Sequence, residues 1–136
     1  MNKKTILLVA DDYKVESSIK DALQREYKIE RAETEKSAAA YLEKNTPDLI
    51  IIDFDLRTKD GLAVYKSINP PVNVVMISSS SSIPLAVSAA KLGVVDFLRK
   101  PLVAAELKKS ISENIRGEKQ QLAWSSGQRW LLGEGP

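Results

Sequence analysis

The chain has 136 residues, 43% of them hydrophobic and 28% charged, which is ordinary for one globular domain with room for a short tail. A net charge of +2 gives no global electrostatic reason to expect binding to nucleic acid or to a membrane surface, and no apolar stretch approaches the roughly 20 residues of a membrane span, so a cytoplasmic location is expected. Because the chain has neither cysteine nor histidine, thiolate and imidazole metal sites are excluded, and any bound metal must be a hard cation held by oxygen atoms.

Short, solidly apolar runs alternate with amphipathic segments along the chain. The apolar runs are typical of strands buried on both faces of a parallel sheet, and the segments between them repeat apolar residues at helical spacing. In chain order the predicted elements are strand 6–10, helix 13–25, strand 27–31, helix 34–44, strand 49–53, helix 61–68, strand 72–77, helix 84–92, strand 94–98 and helix 102–115. Five strands alternating with five helices predict an α/β domain, a doubly wound parallel sheet with right-handed crossovers.

Single residues mark the ends of several elements. Alternating apolar and charged residues in 27–31 are typical of an edge strand. Thr34 and Asp60 are suited to cap the second and third helices, and Gly93 is suited to end the fourth. The last helix carries four apolar residues at a spacing of four, which are expected to face inward: Val103, Leu107, Ile111 and Ile115.

Charged and hydroxyl side chains follow four of the strands at the same end. Asp11 and Asp12 follow the first strand, Asp53 ends the third, Ser78 follows the fourth and Lys100 follows the fifth. Ligands of open α/β sheets bind at the carboxyl ends of the strands, so these side chains are expected to converge. Clustered carboxylates repel one another, and Mg²⁺ would remove that repulsion because it takes one or two carboxylates with waters and phosphate oxygens. An acidic cup with one lysine and one hydroxyl suits phosphoryl transfer onto a carboxylate.

Each of these residues also has a purely structural interpretation. Asp11 and Asp12 lie between a strand and a helix, where aspartate is a favoured cap. Ser78 opens a run of five serines and can be a loop hydroxyl, and Lys100 before Pro101 can be a solvated lysine at a helix start. The functional interpretation is favoured because all of these residues fall at the same end of successive strands.

Five short motifs stand in order along the chain. They are Leu-Val-Ala-Asp-Asp at 8–12, the strand 49–53, Asp60-Gly61, Ser78, and Gly-Val-Val-Asp-Phe-Leu-Arg-Lys-Pro at 93–101. Over roughly residues 3–116 this ordered set resembles the receiver domain of the response regulators of two-component signalling. The resemblance implies a flavodoxin-like (βα)5 fold with strand order 2-1-3-4-5, in a domain over 1–116.

The resemblance implies a role for each acidic residue of the cup. Asp53 would be the phosphoacceptor, receiving a phosphoryl group from a sensor histidine kinase. Mg²⁺ would be the cofactor, held directly by Asp12 and Asp53, through water by Asp11, and by the backbone carbonyl of Asp55.

It also implies how the phosphoryl group would be read. Lys100 and Ser78 would contact the phosphoryl oxygens, and Phe97 would swing inward as Ser78 moves toward the phosphate. Pro101 would follow a cis peptide bond. The face made by the fourth helix, the fifth strand and the last helix would be the output surface, where a second copy of the chain could pack as a homodimer.

Four positions depart from the family pattern. Arg57 stands where proline is common, Leu56 where methionine is usual, and Ser79 where alanine or glycine is usual. Asp55 adds a fourth acidic side chain at a position that affects the lifetime of the phosphoryl group, and that lifetime is left open.

The chain changes character in 117–136, which is expected to be a linker or the start of a following, truncated domain. The segment 130–136, Trp-Leu-Leu-Gly-Glu-Gly-Pro, is similar to the opening of the AAA+ ATPase domain in nitrogen-regulator (NtrC) type transcription activators, and an arbitrary linker is the alternative. The chain has no Walker loop and no basic recognition helix, so this domain itself is not expected to bind nucleic acid.

Two other functions remain open at this point. Asp53 and Asp55 also resemble the paired aspartates of haloacid-dehalogenase-type phosphatases, which form the same aspartyl phosphate but need a larger chain. The other alternative is an interaction module of the same fold that is never phosphorylated.

Overall fold

The computed structural model describes residues 3–115 as a five-stranded parallel sheet with five connecting helices. The strands are β1 (Lys4–Val9), β2 (Tyr27–Ala32), β3 (Leu49–Asp53), β4 (Val74–Ser78) and β5 (Asp96–Arg99). The helices are α1 (Tyr13–Leu23), α2 (Glu35–Lys44), α3 (Gly61–Ile68), α4 (Ile83–Leu92) and α5 (Ala104–Asn114). The strand order is β2-β1-β3-β4-β5, which confirms the predicted flavodoxin-like fold and the edge position of β2. No helix within 3–115 has the length and apolar character needed to cross a membrane.

The two faces of the sheet are covered by different helices. Successive residues of a strand point to opposite faces, so Leu8 joins the core beneath α1 and α5, whereas Leu7 joins the core beneath α2, α3 and α4. All five residues of β3 and all five of β4 are buried, as expected for central strands covered on both faces. The sheet therefore holds the ends of β3 and β4 in a rigid, dry setting.

The register of the sheet aligns the carboxyl ends of its strands. Val9 is paired with Ile52, one residue before Asp53, while Asp53 itself is paired with Ile77, one residue before Ser78. Residues that directly follow β1, β3, β4 and β5 consequently meet at one edge of the sheet.

Side-chain caps fix where the helices begin, as predicted at two positions. Thr34 accepts a hydrogen bond from the backbone N–H of Ser37, and Asp60 accepts one from Ala63. Gly93 ends α4 with a φ of 113°, in the left-handed region that favours glycine.

A buried polar network attaches α5 to the sheet. The Ser110 hydroxyl donates to an Asp96 carboxylate oxygen at 2.8 Å, and the Asn73 side-chain amide donates to the Asn114 carbonyl at 2.9 Å. The Asn114 side-chain amide in turn donates to the Ser110 carbonyl at 2.8 Å. Such a network fixes the register of the helix because only one position satisfies every group.

Several predicted boundaries were wrong. Strand 72–77 begins at Val74, and strand 94–98 begins at Asp96, because the N–H of Val94 closes the end of α4 by donating to the Ala89 carbonyl. Val103 precedes α5 and is 51% exposed, so it does not share the buried face of that helix. The first helix ends at Leu23 instead of residue 25. The linker expected at 117–136 lies outside the described residues.

Candidate functional site

Asp53 ends β3 with a carboxylate that is 1% exposed and fully engaged. The Lys100 ammonium lies 2.9 Å from Oδ1 and 3.0 Å from Oδ2, and the backbone N–H of Asp55 donates to Oδ1 at 2.8 Å. Burial raises the pKa of the Asp53 carboxyl above its ordinary value, while the hydrogen bonds from Asp55 and Lys100 partly offset that effect.

Lys100 follows β5 and bridges two carboxylates. Its Nζ contacts Asp53 and lies 3.0 Å from Oδ2 of Asp55, and its backbone N–H donates to the Ser78 carbonyl at 2.8 Å. Burial alone would lower the pKa of Lys100, but Asp53 and Asp55 outweigh it and hold the pKa above its ordinary value. The peptide bond to Pro101 is cis, as the family resemblance implied.

The Asp55 carboxylate reaches across to the end of β4. Its Oδ2 accepts the backbone N–H of Ser79 at 2.8 Å, and its Oδ1 lies 3.4 Å from the Ser78 hydroxyl. Burial works to raise the pKa of Asp55, but the Ser79 N–H and the Lys100 ammonium hold that pKa below its ordinary value. In the sequence, Asp55 stood out as a fourth acidic side chain that affects the phosphoryl lifetime, but the contacts of this carboxylate with Lys100, Ser78 and Ser79 were not predicted.

Asp11 and Asp12 lie at the end of β1 and are tied to neighbouring backbone. Oδ2 of Asp11 accepts the backbone N–H of Arg57 at 2.9 Å, which joins the end of β1 to the loop after β3. Oδ1 of Asp12 caps α1 by accepting the backbone N–H of Lys14 at 2.8 Å. The cap uses one oxygen of Asp12, so the structural interpretation of this residue does not exclude a second role for the other oxygen.

The acidic residues at this edge of the sheet offer only oxygen atoms as possible metal ligands. Among residues 3–115, no three carboxylates are grouped as they would be around a metal ion. Mg²⁺ does not require such a group, because it binds through one or two carboxylates, a carbonyl and waters. Asp12 and Asp53, at the ends of the adjacent strands β1 and β3, supply two carboxylates of the kind that suits Mg²⁺.

Serine hydroxyls organise the loop between β4 and α4. The Ser78 hydroxyl is fully buried and accepts the backbone N–H of Ser80 at 3.0 Å. The Ser80 hydroxyl accepts the N–H of Ser82 at 3.1 Å, and the Ser82 hydroxyl caps α4 by accepting the N–H of Leu85 at 3.2 Å. This ladder makes three of the five consecutive serines structural.

Phe97 lies on the edge strand β5, beside Met76 of β4. It is partly buried and packs against the core beneath α2, α3 and α4. The structure thus brings Asp53, Lys100 and Ser78 together, and it puts Phe97 one strand away on the α4 side of the sheet.

Gly61 allows α3 to start directly against the backbone that follows Asp53. A Cβ atom at position 61 would lie 2.7 Å from the Cα of Phe54 and 3.0 Å from the carbonyl oxygen of Asp53. The Gly61 N–H donates to the Phe54 carbonyl at 3.0 Å. The glycine of the Asp60-Gly61 motif is therefore required by close packing beside the site.

Comparisons with known proteins agree on one family. Residues 6–112 match the response regulator receiver domain. The chain is 30% identical over 139 residues to the transcriptional regulatory protein ZraR of Escherichia coli K12, covering 96% of this chain and 32% of that protein. This chain thus spans about a third of the length of that curated relative.

Solved structures give the same result. The signal receiver domain of a protein described as a Luxo repressor, from Vibrio parahaemolyticus, superposes with a TM-score of 0.76 at 29% identity, covering 98% of this chain and 99% of that one. NtrX from Brucella abortus superposes with a TM-score of 0.75 at 28% identity, covering 93% of this chain and 28% of that one.

Proposed function

The chain belongs to the response regulator receiver domain family, and we propose that it accepts a phosphoryl group on Asp53 from a sensor histidine kinase. A receiver is a signalling domain and not an enzyme in the usual sense, so the modification is itself the signal. The observation that supports the proposal most directly is the buried Asp53 carboxylate with the Lys100 ammonium within 3.0 Å of both of its oxygens. This pair supplies a nucleophile and a point charge for phosphoryl oxygens.

The transfer step is a displacement at phosphorus. A carboxylate oxygen of Asp53 attacks the phosphorus of a phosphohistidine, and a P–O bond forms as the P–N bond breaks. The electron pair of the broken bond goes to the imidazole nitrogen, which takes a proton from solvent. Little covalent chemistry is left to the protein, so its contribution is to position the groups and neutralise charge.

Charge neutralisation at this edge falls to Lys100 and to a divalent cation. Asp12 and Asp53 would hold Mg²⁺ directly, with Asp11 acting through water and the backbone carbonyl of Asp55 completing the protein ligands. Bound there, the cation would offset the negative charge of the phosphoryl oxygens and of the carboxylates. The Arg57 N–H on Asp11 supports this arrangement by holding the loop after β3 against the end of β1.

The switch would act through the end of β4. A phosphoryl group on Asp53 offers new acceptor oxygens to the Ser78 hydroxyl, and a shift of Ser78 carries the loop 78–82 with it. Phe97 packs on the α4 side of the neighbouring strand and would move inward into the space that this loop vacates. The face formed by α4, β5 and α5 would then change its shape for an output partner or for a second copy of the chain.

The output would be transcription. ZraR is by its name a transcriptional regulatory protein, and the chain matches about a third of its length. We infer that the output lies in a further part of a longer, cytoplasmic protein. The similarity of 130–136 to the opening of an AAA+ domain agrees with this, although those residues lie outside the described part of the structure.

Beryllofluoride with Mg²⁺, which mimics a phosphoryl group on a carboxylate, provides the test. Amide NMR spectra of the native chain are expected to shift at Ser78, in α4 and at Phe97. Asp53→Asn should abolish these shifts. Asp21→Asn, which removes an exposed carboxylate on α1, should respond as the native chain does.

Two results would redirect the assignment. A native chain with no Mg²⁺-dependent change would support an interaction module that is never phosphorylated. Steady hydrolysis of p-nitrophenyl phosphate that is lost in Asp53→Asn would support a phosphatase, because a receiver should show essentially none.

A further inference from the structure

We propose that the Asp55 carboxylate is an internal competitor for the phosphoryl-binding donors, which an incoming phosphoryl group must displace. The inference rests on the proposed function of Asp53 and adds a specific control on how readily that residue is loaded. It assigns Asp55 a positioning role through its side chain, in addition to the role proposed for its backbone carbonyl.

The hydrogen-bond donors that a phosphoryl group on Asp53 would need all contact the Asp55 carboxylate in the unmodified chain. Lys100 is shared between the two carboxylates, at 2.9 Å from Asp53 and 3.0 Å from Asp55. The Ser79 N–H lies 2.8 Å from Asp55, and the Ser78 hydroxyl lies 3.4 Å from it. One carboxylate thus takes an ammonium, a backbone N–H and a hydroxyl, a set suited to the oxygens of a phosphoryl group.

The Asp55 side chain cannot remain there when Asp53 is phosphorylated. A phosphoryl group carries close to two negative charges and three acceptor oxygens, so it would face a carboxylate that already holds its donors. Because 29% of the Asp55 side chain is exposed, rotation toward solvent offers a way out without disturbing the core. Displacement of Asp55 exchanges one set of charge-assisted hydrogen bonds for another. The free energy gained when Asp53 is phosphorylated is therefore smaller than it would be if these donors had no acceptor beforehand.

The same contacts fix the loop before any signal arrives. Ser79 is the residue of the loop whose N–H is bound to Asp55, so Asp55 ties the end of β4 to the loop after β3. Loading of Asp53 would release this tie and offer the Ser79 N–H to a phosphoryl oxygen. The Ser79 N–H thus serves both the Asp55 carboxylate in the unmodified chain and the phosphoryl group after transfer.

The test is a beryllofluoride titration of the native chain, Asp55→Ala and Asp55→Asn at constant Mg²⁺, followed by amide NMR. Asp55→Ala removes the carboxylate that occupies the donors of Lys100, Ser78 and Ser79. This variant should bind beryllofluoride roughly 10-fold more tightly, which is the change expected when a charge-assisted hydrogen bond no longer has to be given up. In the absence of beryllofluoride, the Ser79 amide should shift in Asp55→Ala because it has lost its acceptor. Asp55→Asn keeps the shape and one acceptor oxygen, and it provides the measurement if the alanine variant does not fold.

Salt separates competition for donors from simple repulsion. At 1 M salt the Debye length is about 3 Å, so repulsion between partly exposed charges should be largely screened, whereas occupied donors must still be vacated. An affinity gain that persists at high salt supports the proposal. A gain that vanishes there, or equal or weaker binding by both variants, overturns it.

Failure of the inference can be told apart from failure of the proposed function. If the native chain and the Asp55 variants all bind beryllofluoride with the same affinity, only the competitor is disproved. If neither the native chain nor any Asp55 variant binds, phosphorylation of Asp53 and the competitor both fall. Binding by Asp55→Ala without binding by the native chain would support the competitor and would contradict phosphorylation of Asp53 in the native chain.

Discussion

Gly61→Ala tests whether close packing of α3 against the end of β3 stabilises the domain. The added Cβ would lie 2.7 Å from the Phe54 Cα and 3.0 Å from the Asp53 carbonyl oxygen, and both contacts are to backbone. The two backbones must therefore separate by about 0.8 Å before the closest contact reaches the roughly 3.5 Å of an ordinary carbon–carbon contact. Rotation of a side chain cannot relieve this clash, so the helix or the loop has to move.

Two opposing effects set the size of the change. Overpacking of this kind costs about 1–3 kcal/mol, while replacing glycine by alanine restricts the unfolded chain and stabilises by about 0.4–1 kcal/mol. We expect the free energy of unfolding to fall by about 1–2 kcal/mol, which corresponds to a Tm lower by about 4–8 °C for a domain of this size.

Thermal and urea unfolding followed by circular dichroism give the measurement. Lys66→Ala, an exposed position in the same helix, is the matched control and should change stability by no more than about 0.5 kcal/mol. The Gly61→Ala variant should also bind beryllofluoride more weakly, because displacement of the backbone beside Asp53 moves the phosphoacceptor. A variant as stable as the native chain, with unchanged amide shifts at Asp53 and Phe54, would refute the reasoning.

Three further predictions concern other parts of the domain. Ser110→Ala removes a buried donor from the Asp96 carboxylate and should lower the free energy of unfolding by about 1–3 kcal/mol in urea titrations; an unchanged midpoint would argue against the network. The Lys20 ammonium, 2.9 Å away, holds the pKa of Glu16 below its ordinary value, with Arg31 at 3.0 Å assisting. The stability that this pairing contributes is present above the unfolded-state pKa and is lost as the pH falls through the lower folded-state pKa. The free energy of unfolding of the native chain should therefore exceed that of Glu16→Gln by up to about 1 kcal/mol near neutral pH, and the difference should disappear in acid. Light scattering should detect dimers in beryllofluoride but not in its absence if the α4–β5–α5 face joins two copies, and a mass that stays monomeric at high concentration would rule that interface out.

The parallel sheet and the position of Asp53 followed from the composition of the buried strands, whereas the strand order followed from the resemblance to receiver domains. Four apolar residues ending in an aspartate predict a central strand and a carboxylate at its end, and β3 is that strand. The predicted strand boundaries were less accurate where apolar residues lie next to a strand without being part of it. Val94 is fully buried, yet it precedes β5 and its N–H donates to the Ala89 carbonyl of α4, since hydrophobicity indicates burial and carries no information about which N–H groups pair across the sheet.

The contacts of Asp55 were beyond sequence reasoning for a different reason. A carboxylate two residues after Asp53 can turn toward solvent, toward a cation or toward Lys100, and the choice depends on donors that reach it from the ends of β4 and β5. Those donors come from residues more than 20 positions away in the chain. Only the folded arrangement selects among these rotamers.

The serine ladder after β4 has a consequence for which sequences this loop tolerates. Each hydrogen bond joins a hydroxyl to an N–H two or three residues further along, so the acceptors of these N–H groups lie within the segment 78–85 itself. Positions 80 and 82 should accept threonine, aspartate or asparagine, whose short side chains keep an acceptor in reach, and should reject alanine or valine. The five serines 78–82 look interchangeable in the sequence, but those at 78, 80 and 82 each accept a backbone N–H and so tolerate different substitutions from the other two.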